Sequence, residues 1–281
     1  SLIEPYYEEK KTGRPKTDLL LLLRIYFLQQ WYSLSDPMAE EWIYDRISFQ
    51  KFLGIDLLSV SVPDETTILN FRHLLEEHAL SEKFFETVRN LLEQKGIIMK
   101  EWSIVDATII AAPSSTKNKT KKRDPEMKST KKWNDWYFGM KAHIWVDADS
   151  GLVHSLETTS ANIHDSDIFE DCLHGEEKAL FADKGYFKDD RKKKARQWEI
   201  FYGILDKAKR WSKLSIKQEK RNKKLSSIRS KVEHSFQVLK CQWHYEKTRY
   251  KGLFKNSLQL HTLFALINLF KARKKLLAVS W

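Results

Sequence analysis

The sequence predicts an α+β chain, with an all-helical unit over residues 14–96 followed by a mixed strand-and-helix region over 97–281. Three observations carry that expectation. Apolar residues in the first third recur three and four apart, the period of a helix face. From Ile97 onward, shorter apolar runs tend to alternate with a period of two, as half-buried strands require. The charge changes sign in the same region: residues 1–105 carry a net of −5, residues 106–281 a net of +16, and the whole chain +11.

The helical unit is read from its caps and stripes. Residues 1–16 are polar and lack periodicity, an arm in which "TGRPK" (12–16) forms a short basic hook. Asp18 caps a helix whose stripe is Leu20, Leu23, Phe27 and Trp31. Asp36-Pro37 opens a second, because proline suits the first helical turn. Ser48 starts a short third that ends near Gly54, and Val62-Pro63-Asp64 begins a fourth with Ile68, Phe71, Leu74 and Leu75. Ser81 caps a fifth that runs to Lys95, where Gly96 closes it. The acidic balance of this unit argues against a dominant grip on a polyanion, and a helix-turn-helix within it stays an open question.

Beyond Ile97, residues 104–110 read as a strand that holds Asp106. Residues 113–132 carry eight cations (Lys117, Lys119, Lys121, Lys122, Arg123, Lys128, Lys131, Lys132) against Asp124 and Glu126. Such a segment has too little apolar surface to order itself and is expected to order only against a polyanion. Residues 139–146 and 152–159 alternate around the turn signal Asp147-Ala-Asp-Ser-Gly151, which makes a hairpin. Residues 165–173 read as a short helix, 180–183 as a strand, 189–197 as a basic helix and 200–205 as a last strand. Residues 207–224, with nine cations and one Glu, lead into a helix around Glu233, and 253–277 form a terminal amphipathic helix.

The candidate chemistry lies on three of these elements. Leu225, Ile228, Val232, Phe236 and Leu239 recur at helical spacing, with Glu233 at the border of that stripe. Arg229 precedes Glu233 by four residues and Lys240 follows it by seven, so all three project from roughly one side of the helix. Alone, this is a common i,i+4 Arg–Glu pair contributing about 0.2–0.5 kcal/mol. Its company changes the reading. Asp106 interrupts the apolar run "WSIVDATII" and Asp183 closes "ALFA" before Lys-Gly-Tyr186. An isolated Asp in a strand is disfavoured, and a buried carboxylate needs a cation or metal to offset its desolvation. Three carboxylates from separate elements are suited to holding divalent ions for displacement at phosphorus.

These residues resemble the DDE transposases of bacterial insertion sequences, in the insertion-sequence-four and insertion-sequence-five branch. Arg229, Glu233 and Lys240 fit the family pattern Tyr-x2-Arg-x3-Glu-x6-Lys, with Ser226 at the Tyr position. "VDAT" supplies the first acid and "ADKGY" the second, while "SANIHDSD" (160–167) and "PDETTILNFRHLLE" (63–76) also resemble the family, so the likeness covers most of the chain. It implies a ribonuclease-H-like catalytic region with Asp106, Asp183 and Glu233 as catalytic and metal-binding acids, and Mg²⁺ as cofactor with Mn²⁺ as substitute. It implies double-stranded DNA as partner, both transposon ends and target, and a homodimer in the synaptic complex. Arg229 and Lys240 would hold phosphates, as would Lys117, Lys119, Lys121, Lys122 and Arg123 of the basic segment. The 50 residues between Asp183 and Glu233 leave no space for a large inserted domain. Two other readings stay open: a catalytically inactive or domesticated DNA-binding relative, and a stand-alone nuclease.

Composition bounds the remainder. Cys172 and Cys241 make no disulfide framework, and Leu19–Leu28, interrupted by Arg24, is too short to cross a bilayer. No signal peptide is evident, and Ser1 in place of Met suggests a trimmed or tagged chain. A cytoplasmic, nucleoid-associated protein of a prokaryote is the expectation. His143, His154, His164, His174 and Cys172 lack zinc-ligand spacing; His164 and Asp165 are expected to orient backbone or DNA near the acids. Of Trp133, Trp136 and Trp211, at least two are expected to pack in the core.

Overall fold

The computed structural model describes residues 2–7, 16–119, 121–132, 134–170, 173, 175–208 and 211–278. Asp18 caps α1 (Leu19–Tyr32), its carboxylate accepting from the Leu21 N–H at 2.8 Å. Ser35 caps α2 (Asp36–Asp45), α3 spans Ile47–Leu53 and ends at Gly54 with φ +72°, and Asp64 caps α4 (Glu65–Glu77). The expected stripe of the first helix fails here. Leu20 is 51% exposed, and the buried apolar residues are Leu21, Leu22, Ile25, Tyr26 and Leu28. Helix α1 is packed from two sides, by Ala39, Ile43 and Phe49 on one and by Phe71, Leu75 and Leu80 on the other. A helix buried on two sides has no single stripe to read. The arm also packs: Ile3 is buried in the second of these clusters and the Tyr6 ring stacks on His78 at 4.3 Å. Residues 12–15 of the basic hook lie outside the described residues.

Helix α5 (Leu80–Gln94) starts after Ala79, which adopts φ +48°, so Ser81 lies inside the first turn rather than capping it. The buried Ser81 hydroxyl instead accepts from Thr262 at 3.0 Å. Phe85, Val88 and Leu92 of α5 share one core with the sheet and the terminal helix.

The sheet has β1 (Trp102–Ala111), β2 (Lys128–Lys132), β3 (Asp135–Asp147), β4 (Val153–Ser160), β5 (Ala179–Ala182) and β6 (Phe201–Ile204). Its order is β2-β3-β1-β5-β6, with β4 paired to β3. β3 runs antiparallel to β1, β2 and β4, whereas β1, β5 and β6 run parallel. Alternation sends neighbouring residues of β1 into different cores. Ile104 joins Ile144, Val146, Phe181 and residues of the last two helices; Val105 joins Trp145, Leu180, Ala182 and Ile204, covered by Phe169 and Tyr186. The sheet is thus filled on both faces. Gly139 is required where β3 crosses β1, because a Cβ there would collide with the Ile110 carbonyl.

Helix α6 (Asp189–Gln197) links β5 to β6, and α7 (Ile216–Gln237) begins with a capping box between Ser215 and Gln218. A π-helical turn, Val238–Gln242, follows α7, and α8 (Leu253–Ala278) closes the chain against the sheet. The buried Asn268 amide accepts from the Val153 N–H at 2.8 Å and donates to its carbonyl at 2.6 Å, docking α8 on β4.

Residues 121–127 depart from the expectation that the 113–132 segment cannot order alone. Met127 is buried in the main core, and the Asp124 and Glu126 carboxylates accept from the Gly252 and Leu253 N–H groups at 2.6 Å, at the N-terminus of α8. One apolar anchor and two acids at a helix start replace the missing hydrophobic content. The expected helix over 165–173 is a single 3-10 turn at Asp165–Asp167 among the described residues.

Candidate active site

Sheet register brings the two aspartates together. Ile104 pairs with Phe181 across the parallel β1–β5 ladder, and Val105 with Ala182. Asp106 and Asp183 follow by two residues on their respective chains, so they continue the Ile104–Phe181 face side by side. Helix α7 covers that face through buried Leu225 and Val232. Burying each such side chain contributes roughly 1.5–3 kcal/mol, and Val232 fixes its neighbour Glu233 at the edge of the same face.

One guanidinium joins all three acids. The Arg229 Nη2 lies 3.1 Å from Glu233 Oε1 and 3.8 Å from Asp106 Oδ2, and Nη1 lies 3.6 Å from Asp183 Oδ1. Only the first contact has hydrogen-bond geometry; the other two are charge contacts. Asp106 is the most enclosed of the three acids, with its side chain 21% exposed against 42% for Asp183 and 60% for Glu233. Burial pushes its carboxyl up to about 6, against the pull of Arg229 and of the Ala107 N–H, which donates to Oδ1 at 2.9 Å.

Lys240 lies in the π-helical turn and points to β1, its Nζ donating to the Ile109 carbonyl at 2.7 Å. Burial, reinforced by the charge of Lys132, lowers its pKa. Lys117, Lys119, Lys121, Lys122 and Arg123 are exposed. They begin beyond Ala111, roughly 16 Å along the strand from Asp106 at ~3.3 Å per residue. Some of them border a groove of about 380 Å³ shared with Arg249 and Lys251.

Sequence reasoning missed the polar floor on the opposite face of the sheet. Lys141 Nζ pairs with Asp165 Oδ1 at 2.8 Å and donates to the Ile163 carbonyl at 2.6 Å. His164 Nδ1 receives the Ser166 N–H at 3.2 Å, so His164 holds the loop backbone, while the Asp165 carboxylate pairs with Lys141. Arg191 clamps the same loop through Ser166 and Glu170. Burial, then the charges of Asp165, Asp106 and Asp183, pushes the Tyr186 hydroxyl well above its ordinary pKa. Among the described residues that buried hydroxyl has no hydrogen-bond partner. The available signal was Lys141, a charge in an otherwise apolar alternating strand.

Other side chains stand apart from this site. His143 bonds to Thr159 and His154 to Ser103, while Cys172 and His174 lie outside the described residues. Trp136 and Trp211 are 71% and 93% exposed, contrary to the expected core packing of at least two of the three tryptophans, and Trp133 lies outside the described residues. Among the described residues no helix is long and apolar enough to cross a membrane.

The donor set suits a hard divalent cation: three carboxylates, no thiolate and no imidazole. A single positive group, the Arg229 guanidinium, already sits between them. Among the described residues, no three His, Cys, Asp or Glu side chains are gathered closely enough to chelate an ion as they stand.

Two family models match the chain. One described as a Transposase DDE domain covers residues 99–269, and one described as a Transposase domain (DUF772) covers residues 1–74. No solved structure matches it.

Proposed function

Given that the chain belongs to the DDE transposase family, we propose that it binds the terminal inverted repeats of its element, cleaves at the ends and joins 3′-hydroxyls to target DNA. The observation that carries this reading is the convergence of Asp106, Asp183 and Glu233, from two strands and a helix, on the Arg229 guanidinium. The strand order supports a ribonuclease-H-like arrangement: an antiparallel β1-β3-β4 unit beside parallel β5 and β6, with the third acid on the following helix. The Arg-x3-Glu-x6-Lys spacing supports the insertion-sequence-four/five branch.

Asp106, Asp183 and Glu233 would hold Mg²⁺, or Mn²⁺ in its place. Such ions supply activation of the attacking oxygen and neutralisation of the leaving one. The protein's part is positional. Asp106 and Asp183 are fixed by the β1–β5 ladder, and Glu233 rides on α7, whose apolar face is anchored in the core. Arg229 can hold a phosphate through its planar fork, and Lys240 stands on the β1 side beside Ile109. The exposed cations of 117–123 would grip DNA further along the strand. The helical unit over 14–96 would serve end recognition and dimer contacts, and the working complex would be a homodimer in a prokaryotic, nucleoid-associated setting.

A strand-cleavage and joining assay on DNA carrying the element ends tests this reading. Cleaved and joined products that require Mg²⁺ or Mn²⁺ support it. Binding without cleavage would identify an inactive DNA-binding relative, and cleavage anywhere without joined products a nuclease.

A further inference from the structure

The position of Arg229 has a consequence for how the site fills. The three carboxylates are held by one guanidinium, two of whose three contacts are longer than hydrogen bonds. The group therefore offsets part of the acids' charge without being locked to them. Its side chain is 20% exposed, and its firm partner, Glu233, is 60% exposed on α7. A path outward thus exists on the helix side. Nothing of the kind holds for Asp106, which is fixed on β1 between paired strands.

We propose that Arg229 is a resident counter-cation: it holds the carboxylate cluster together before divalent ions bind and must leave the cluster for them to enter. A guanidinium and a divalent ion cannot both lie between the same three carboxylates, because the sites overlap and the charges repel. Arg229 is therefore a positioning residue in the empty protein and a free cation in the loaded one. It becomes available to a phosphate only after metal entry, so the same side chain couples metal loading to substrate contact. This rests on the proposed metal-binding role of the three acids and adds to it an order of events.

The test is direct binding of Mn²⁺ alone, without DNA, to the full chain, read by the electron paramagnetic resonance of free Mn²⁺. Wild type, Arg229→Gln and Arg229→Lys are compared, with unfolding temperatures measured in chelator and in Mn²⁺. Removal of the competing charge should tighten Mn²⁺ binding by Arg229→Gln at least tenfold. Arg229→Lys, which keeps the charge without the three-way fork, should fall between the two. In chelator Arg229→Gln should melt below wild type, and the rise in melting temperature on adding Mn²⁺ should be larger for the variant, following its tighter binding. Equal or weaker Mn²⁺ binding by Arg229→Gln would overturn the displacement and leave the metal site standing. No binding by wild type or by either variant would overturn the metal site as well. If Arg229→Gln fails to fold, the Arg229→Lys affinity decides: a value no tighter than wild type overturns the proposal.

Discussion

Replacing Asp106 by Asn should make the metal-free protein more stable while removing its chemistry. In the folded chain the Asp106 carboxyl is raised from 3.8 to about 6, chiefly by burial. A folded-state pKa above the unfolded one means the ionised form is disfavoured by folding. Stability from this group is fully present below pH ~3.8 and is lost as pH rises through about 6. Roughly two units at ~1.36 kcal/mol each give about 3 kcal/mol, and the attraction of Arg229 is already contained in that figure. The side chain is about a fifth exposed, so solvent screening reduces this only modestly. Asn is nearly isosteric and its carbonyl can still accept the Ala107 N–H. With ~2.1 cal/mol/K of unfolding entropy per residue over 281 residues, 3 kcal/mol corresponds to a rise of about 5 °C. The assay is thermal unfolding in chelator from pH 4 to pH 8. The gap between Asp106→Asn and wild type should be near zero at pH 4, grow to pH ~6 and then level off. Mg²⁺ should reverse it, stabilising wild type and not the variant. A variant less stable than wild type at pH 8 in chelator would refute the reasoning, since Asp106 would then be fully compensated by its neighbours.

Two further outcomes follow from the geometry. Lys240→Ala removes a half-buried charged donor from the Ile109 carbonyl, so it should cost about 1.5–3 kcal/mol in denaturant unfolding and slow strand transfer, with little change in metal dependence. Changing Lys117, Lys119, Lys121, Lys122 and Arg123 together to Ser should remove about 3.6 from the slope of log K against log salt if four phosphates are lost, with sequence preference retained; an unchanged slope would make the segment a solvated loop.

The parts of the fold set by local rules were legible. Caps at Asp18 and Asp64, the hairpin around Gly151 and the strand containing Asp106 follow from neighbouring residues. What failed depended on partners distant in sequence. The burial phase of α1 is set by α2 and α3 on one side and by α4 and α5 on the other, and Ser81 is buried by Thr262 of α8. Residues 121–127 of the basic segment are anchored by Met127 and by the start of α8, which composition averages away. At the site, the Arg229–Glu233 pair was visible as an i,i+4 spacing. The approach of Asp106 and Asp183 to the same guanidinium was not, because the parallel β1–β5 ladder joins segments 77 residues apart. The Lys141–Asp165 pair beneath them joins β3 to the loop after β4, a tertiary contact that no helical or strand period marks.

The central claim is that three acids on three elements form one catalytic centre, separate from the basic surface proposed to bind DNA. The most direct measurement is strand cleavage by Asp106→Asn, Asp183→Asn and Glu233→Gln, made on the same preparations whose affinity for end DNA is read by gel shift. The account predicts loss of cleavage in all three with binding largely retained, since phosphate affinity resides in Lys and Arg. Near wild-type cleavage by any one of them would remove that residue from the centre and contradict the account.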